Sequence, residues 1–346
     1  MAEKTRKSKD QEAKAPEISP GFAHIPVSAK TGVFRSAFPA GVQEIPGNPA
    51  KSAEKTFLPG SIWQGNRILR VLSRTSYSIS LLTLPEKRVE EERDLGDQCQ
   101  VLKLYKLPDK EETFLEKLSR QQVGEEAAPQ LLSSGVKEGY AFHQSSYISL
   151  PSLDSLIAAQ APYSEHEALY IVYTISRILE QIREKYSCIH GRLKPSKILF
   201  SRSARPLFLG LGSGEICRNE PEIHEKEKLY YLPPEYILGE QLSWQSDMYS
   251  LGIILFQLLT GVLPFYSPRR EEVKEMILTG VLPFPSERNQ SCRISPRTWS
   301  VLSRMTMKKP SQRFAAPENY FDALVAADKA LEEVEPPAEK HQTTIT

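Results

Sequence analysis

The sequence predicts an α+β fold of two lobes, a small β-rich lobe with one helix followed by a larger α-helical lobe. Three observations carry this expectation. Short β-rich runs dominate from Arg67 to Leu150, helical periods take over from Pro151, and both ends of the chain are polar and rich in Pro, Lys or Glu. The length of 346 residues admits one large domain or two ordinary ones, and 40% hydrophobic against 25% charged residues fits a globular chain.

The first sixty residues hold seven of the 26 prolines and open on Lys4, Arg6, Lys7, Lys9 and Lys14 without an apolar period. Such a segment cannot bury enough surface to offset its ordering entropy, so residues 1–58 are read as a disordered arm. The folded domain is expected over 59–330, with the small lobe at about 61–148 and the large lobe at about 151–330, and residues 331–346 form an acidic and polar tail. Expected strands are Ile68–Leu72, Ser78–Leu84, Val101–Leu104 and Tyr140–Ile148, interrupted after Pro108 by a helix at Glu111–Arg120. Ser164 with Glu167 three residues on is a capping box. The apolar positions that follow, Ala168, Val172, Ile175, Leu179 and Ile182, step by four and three and make one buried stripe. A second long helix is expected from Asp247, apolar nearly all round and therefore interior.

Charge and cysteine usage narrow the function. Lys and Arg number 44 and Asp and Glu 43, a formal charge of +1, so nucleic acid is not expected as a partner. Cys99, Cys188, Cys217 and Cys292 are far apart, which argues against a disulfide framework or a zinc site and for a reducing, cytoplasmic setting. No apolar segment follows Met1 as a secretory signal would, and the run Leu251–Leu263, broken by Gln257 and Thr260, is too short to span a bilayer. No integral membrane segment is expected.

The string Cys188–Phe200, C-I-H-G-R-L-K-P-S-K-I-L-F, resembles the catalytic loop of the protein kinase superfamily, H-R-D-L-K-P-x-N-I-L. Pro233-Pro234-Glu235 looks like that family's A-P-E, and Asp247–Gly252 like its D-x-W-S-L-G. Gly261–Phe265 looks like T-G-x-x-P-F, and Arg313 stands where the family pairs an arginine with the A-P-E glutamate. Order and spacing agree across residues 61–330, and Ser164–Ala168 before the long helix looks most like bacterial serine/threonine kinases. The resemblance implies a bilobal kinase-like fold, with Tyr147 and Ile148 as hinge, Ser145 as gate to the back pocket, and an ion pair between Glu235 and Arg313.

Within that resemblance the chemical positions depart from the pattern. Ser73–Ser78 contains no glycine where the family cradles phosphate. Lys103 in Val101-Leu102-Lys103-Leu104 matches the nucleotide lysine, and Glu116 occupies its partner position; the pair orients an ATP phosphate or ties helix to sheet. His190 is kept, but Arg192 replaces the general-base aspartate and, with a pKa above about 12, cannot accept a proton. Lys194 is retained. Lys197 replaces the Mg²⁺-binding asparagine and Gly210 the D-F-G aspartate, so no metal is expected.

With His190, Arg192, Lys197 and Gly210 as degenerate positions, the resemblance implies a catalytically inactive pseudokinase. It would act as a scaffold or regulatory module, engage protein partners through the large lobe or the activation segment, and bind ATP without metal at Lys103, Glu116, Lys194, Tyr147 and Ile148. The alternative is an atypical ATP-dependent serine/threonine kinase or nucleotidyl transferase whose basic residues replace the metal. A third reading makes the basic cleft a slot for a phosphorylated or acidic peptide.

Overall fold

A computed structural model describes residues 57–74, 78–86, 98–106, 127–201, 203–212, 229–329 and 331. The helix expected at Glu111–Arg120, most of the expected N-terminal arm and the polar tail after Leu331 lie outside the described residues.

The small lobe is one antiparallel sheet of six strands. These are β1 (Ile62–Trp63), β2 (Asn66–Arg74), β3 (Ser78–Pro85), β4 (Gln100–Lys106), β5 (Leu131–Lys137) and β6 (Tyr140–Ser146), in the order β1-β2-β3-β4-β6-β5. Strand alternation puts Leu102 and Leu104 on one face of β4, both fully buried, while Val101 and Lys103 take the other. The buried face joins Leu81 and Ile68 to Phe57 and Trp63 from ahead of β2. Trp63 meets Phe142 edge to face at 5.3 Å and Phe57 meets Tyr140 at 5.4 Å, which ties the start of the lobe to β6. Register shifts between Ile68 and Arg70 and between Val71 and Ser73 leave Leu69 and Leu72 as extra, exposed residues on β2. The strand β5 was not expected: Ser133, Ser134 and Gly135 give it little β propensity, and it is held by pairing with β6.

The large lobe is helical, with a two-stranded sheet of β7 (Ile198–Phe200) and β8 (Pro206–Phe208). Its helices are α1 (Leu153–Gln160), α2 (Glu165–Tyr186), α3 (Pro234–Ile237), α4 (Trp244–Thr260), α5 (Arg270–Thr279), α6 (Pro285–Arg288), α7 (Pro296–Met305) and α8 (Pro317–Ala327). The capping box of α2 forms as expected, with Ser164 accepting from Glu167 N–H and the Glu167 carboxylate accepting from Ser164 N–H at 2.9 Å. Ala168, Val172, Ile175 and Ile182 are buried along α2, and Leu179 is half-buried. Helix α4 is buried on nearly every side but begins at Trp244, three residues before the expected start. Ser243 takes the cap there, through Ser246 three residues on, and this frees the Asp247 carboxylate for another use. Gly252 of α4 lets α7 approach closely, since a Cβ there would stand 2.6 Å from Thr306 Cγ2. Among the described residues no helix is long and apolar enough to cross a membrane.

Candidate functional site

Two elements carry the residues singled out in the sequence: the Val101–Lys103 face of β4, and the loop between α2 and β7. On β4, Lys103 lies opposite Ser80 on β3 and His143 on β6, while Val101 lies opposite Ser145. The Lys103 ammonium stands 4.8 Å from the ring centre of Tyr105, two residues along on the same face. The His143 ring is 5.8 Å from that of Tyr105. Burial, with the neighbouring Lys103 charge adding to it, pushes the His143 imidazole down to about 3. It is therefore neutral, and its Nδ1 is buried without a hydrogen-bond partner among the described residues. Glu116, expected as the partner of Lys103, lies outside the described residues.

Strand β6 ends at Ser146, so Tyr147 and Ile148 belong to the connection leading to α1 rather than to the strand. Tyr147 N–H donates to Cys99 O at 3.1 Å, which ties this connection to the residue before β4. Both side chains are half-buried. The glycine-free stretch Ser73–Ser78, at the place where the family cradles phosphate, is described at Ser73 and Arg74, closing β2, and at Ser78, opening β3.

The loop at His190–Lys197 is held from below. The Asp247 carboxylate accepts from His190 N–H and from Gly191 N–H, each at 2.7 Å. Gly191 takes a φ of +72°, in the left-handed region where a Cβ is penalised, and this turns the two amides toward one carboxylate. Burial pushes the Asp247 carboxyl up to about 7, against the two amides and the Lys197 charge, which favour the ionised form. His190 is fully buried; its Nδ1 accepts from Arg192 N–H at 3.3 Å, and its Nε2 has no partner among the described residues. Burial, with Lys197 and Arg192 nearby, holds its imidazole well below the usual range.

Arg192 is buried, and its guanidinium lies 5.8 Å from the ring centre of Tyr236 in α3. Lys194 caps and Lys197 closes the 3-10 turn Pro195–Lys197, and both are half-buried. Leu209 N–H donates to Lys197 O at 2.9 Å and Gly212 N–H to Ile189 O at 3.0 Å, so the segment after β8 is laced to this loop. Gly210 and Gly212 both take positive φ around the buried Leu211. The structure thus gathers His190, Arg192, Lys194, Lys197 and Gly210 around one loop. Lys197 and Gly210 offer no side-chain oxygen at the family's metal positions. That donor set does not fit Mg²⁺.

Sequence reasoning missed His143, Tyr105 and Tyr236. Period-two alternation from Lys103 and Ser145 reaches the first two; no local signal links Tyr236 to Arg192, since the contact spans two distant segments.

Residues 115–323 match the family described as protein kinase domain. Among curated proteins the chain is similar to serine/threonine-protein kinase pkn3 of Myxococcus xanthus, 29% identical over 206 residues, 56% of this chain and 37% of that protein. A calcium and calcium/calmodulin-dependent serine/threonine-protein kinase of Lotus japonicus is 32% identical over 190 residues, 51% of this chain and 34% of the relative. The probable serine/threonine-protein kinase PknB of Lactococcus lactis is 30% identical over 140 residues, 38% of this chain and 22% of the relative. The matched stretches span about a third of the first two relatives and less of the last.

These relatives correct the expectation of a chain without enzymatic activity, because proteins named as serine/threonine kinases point to an enzyme. That expectation gave proton abstraction too much weight: phosphoryl transfer runs through a loose transition state, where positioning and charge stabilisation do most of the work. With more than half of its residues matched, and with a sheet-rich lobe joined to a helical lobe, the chain belongs to the protein kinase domain family.

Proposed function

We propose that the chain is an atypical ATP-dependent serine/threonine protein kinase domain in which fixed cations take the place of metal ligands at the phosphates. The observation that carries this reading is the charge set of the loop, where Arg192, Lys194 and Lys197 lie around a neutral, buried His190. In this reading ATP binds without metal, reaching along the Tyr147–Ile148 connection, with Lys103 and its proposed partner Glu116 orienting the phosphates. Ammonium groups of Lys103, Lys194 and Lys197 offset the charge on the phosphate oxygens.

The chemistry balances without a protein base. The acceptor hydroxyl oxygen bonds to the γ-phosphorus while the bond to the β,γ-bridging oxygen breaks, ADP leaves, and the hydroxyl proton departs late to solvent. Arg192 does not take that proton, since its guanidinium stays charged.

Nucleotide binding is the first test. ATP at a hundred times its dissociation constant should stabilise the protein by about 2.7 kcal/mol in a thermal melt. The shift should persist in EDTA and vanish in Lys103→Ala. A melt that ATP leaves unchanged with and without magnesium removes the nucleotide from this reading.

A further inference from the structure

The chain has a formal charge of +1, yet residues 285–313 hold seven lysines and arginines against a single acid, Glu287. This stretch runs through α6, α7 and the turn after it. Two of the seven cations serve the fold. Arg313 is paired with Glu235, and Lys308 Nζ donates to the carbonyls of Met276 at 3.1 Å and Ile277 at 2.7 Å, near the end of α5. Arg288, Arg293, Arg297, Arg304 and Lys309 are exposed. Among the described residues none of these five has a carboxylate partner. Glu287 spends an oxygen on Phe284 N–H at 2.9 Å.

The arginines are also held in place. Arg288 donates to Pro264 O at 2.9 Å, Arg293 to Cys292 O at 2.9 Å, and Arg297 to Ala326 O at 3.1 Å. The Arg304 guanidinium rests 4.5 Å from the ring centre of Phe314. Arg297 and Arg304 are seven residues apart on α7 and so share one side of the helix, two turns apart. Their contacts, Ala326 and Phe314, lie near the two ends of α8. A guanidinium tied by one nitrogen keeps its remaining N–H donors for a ligand, and part of its ordering entropy is already spent.

We propose that this arginine-rich end of the large lobe is a docking surface for an acidic segment of a protein partner. Anchored guanidinium forks suit the paired oxygens of carboxylates at defined spacing, whereas attraction to a lipid surface needs charge alone. Phe284, just ahead of this stretch, and Met307 within it, 36% and 42% exposed, add apolar contact that a peptide uses and a nucleic-acid backbone does not.

The test uses the full chain and a fluorescein-labelled synthetic peptide of alternating glutamate and leucine, followed by anisotropy. Wild type should bind this peptide but not its glutamine counterpart. Combined Arg293→Gln, Arg297→Gln and Arg304→Gln should weaken binding roughly tenfold or more, with the melting temperature of the protein unchanged. The corresponding lysine variant, which keeps charge and folds by the same contacts elsewhere, should fall between the two. The proposal is overturned if the glutamate peptide does not bind, or if either variant binds as wild type does. Tighter binding of a single-stranded oligonucleotide or of phosphatidylserine vesicles than of the peptide would overturn it as well.

Discussion

Arg313 and Glu235 meet as a two-point fork sealed from water, Nη1 to Oε1 at 2.7 Å and Nη2 to Oε2 at 2.8 Å, with both side chains at most 1% exposed. The remaining polar capacity is filled: Arg313 also donates to the carbonyls of Met307, Gln245 and Lys308, and Ser246 Oγ donates to Glu235. The fork thereby joins α3, α4 and the turn before α8. Removing one partner strands a buried charge, so Arg313→Met should cost roughly 3–5 kcal/mol in urea unfolding. Adding Glu235→Leu to that variant should restore part of the loss; a double variant whose cost equals the sum of the singles would mean that the two side chains do not act on each other.

The Asp247 carboxylate is the single acceptor for two amides of the His190–Lys197 loop. Asparagine offers one acceptor oxygen and turns a donor toward the second amide. Asp247→Asn should therefore cost on the order of 1–3 kcal/mol and loosen the loop locally. Hydrogen exchange reads this directly, with the His190 and Gly191 amides exchanging faster while those of α2 hold.

His143 and Asp247 pull the pH dependence in opposite directions. The folded imidazole of His143 titrates at about 3 against an unfolded value of 6.5, so its contribution is present above pH 6.5 and is lost as pH falls toward 3. The Asp247 carboxyl is raised to about 7 from 3.8, so its contribution is present below pH 3.8 and is lost as pH rises toward 7. Lys103 and Tyr105 are the groups beside His143. Between about pH 7 and about pH 5, the stability of His143→Leu relative to wild type should rise by on the order of 1–2 kcal/mol, while the Asp247 contribution, common to both, cancels. A stability difference that does not change over this window would contradict the role given to His143.

At Gly252, α4 packs tightly against the end of α7, with Met305 Cβ 3.1 Å and Thr306 Cγ2 2.6 Å from where its Cβ would stand. Gly252→Ala raises helix propensity but overpacks this contact. The balance should be destabilising by about 1–3 kcal/mol, seen as a lower melting temperature. A melting temperature at or above that of wild type would show that the interface can yield.

Much of the architecture was legible where one local rule and one pairing agreed. Ser164 and Glu167 announce the start of α2, and the Glu235–Arg313 pair that the resemblance implies forms. What escaped depended on tertiary pairing. β5 is held by its neighbour against its own propensity, α4 begins at Trp244 behind the Ser243 cap rather than at Asp247, and Phe57 joins the small-lobe core from within the segment read as an arm. At the site, Lys103, Arg192 and Lys197 were visible as charges, while the contacts of His143 with Lys103 and of Tyr236 with Arg192 arise only once strands and loop are folded.

Transfer of the γ-phosphate from labelled ATP to serine in a mixed protein substrate, run in EDTA and again in magnesium, tests the central claim most directly. Cationic stabilisation predicts incorporation that persists in EDTA, falls by roughly tenfold or more in Arg192→Gln or Lys197→Gln, and disappears in Lys103→Ala. Incorporation found only with magnesium and indifferent to Arg192 and Lys197, or none under either condition, would contradict it.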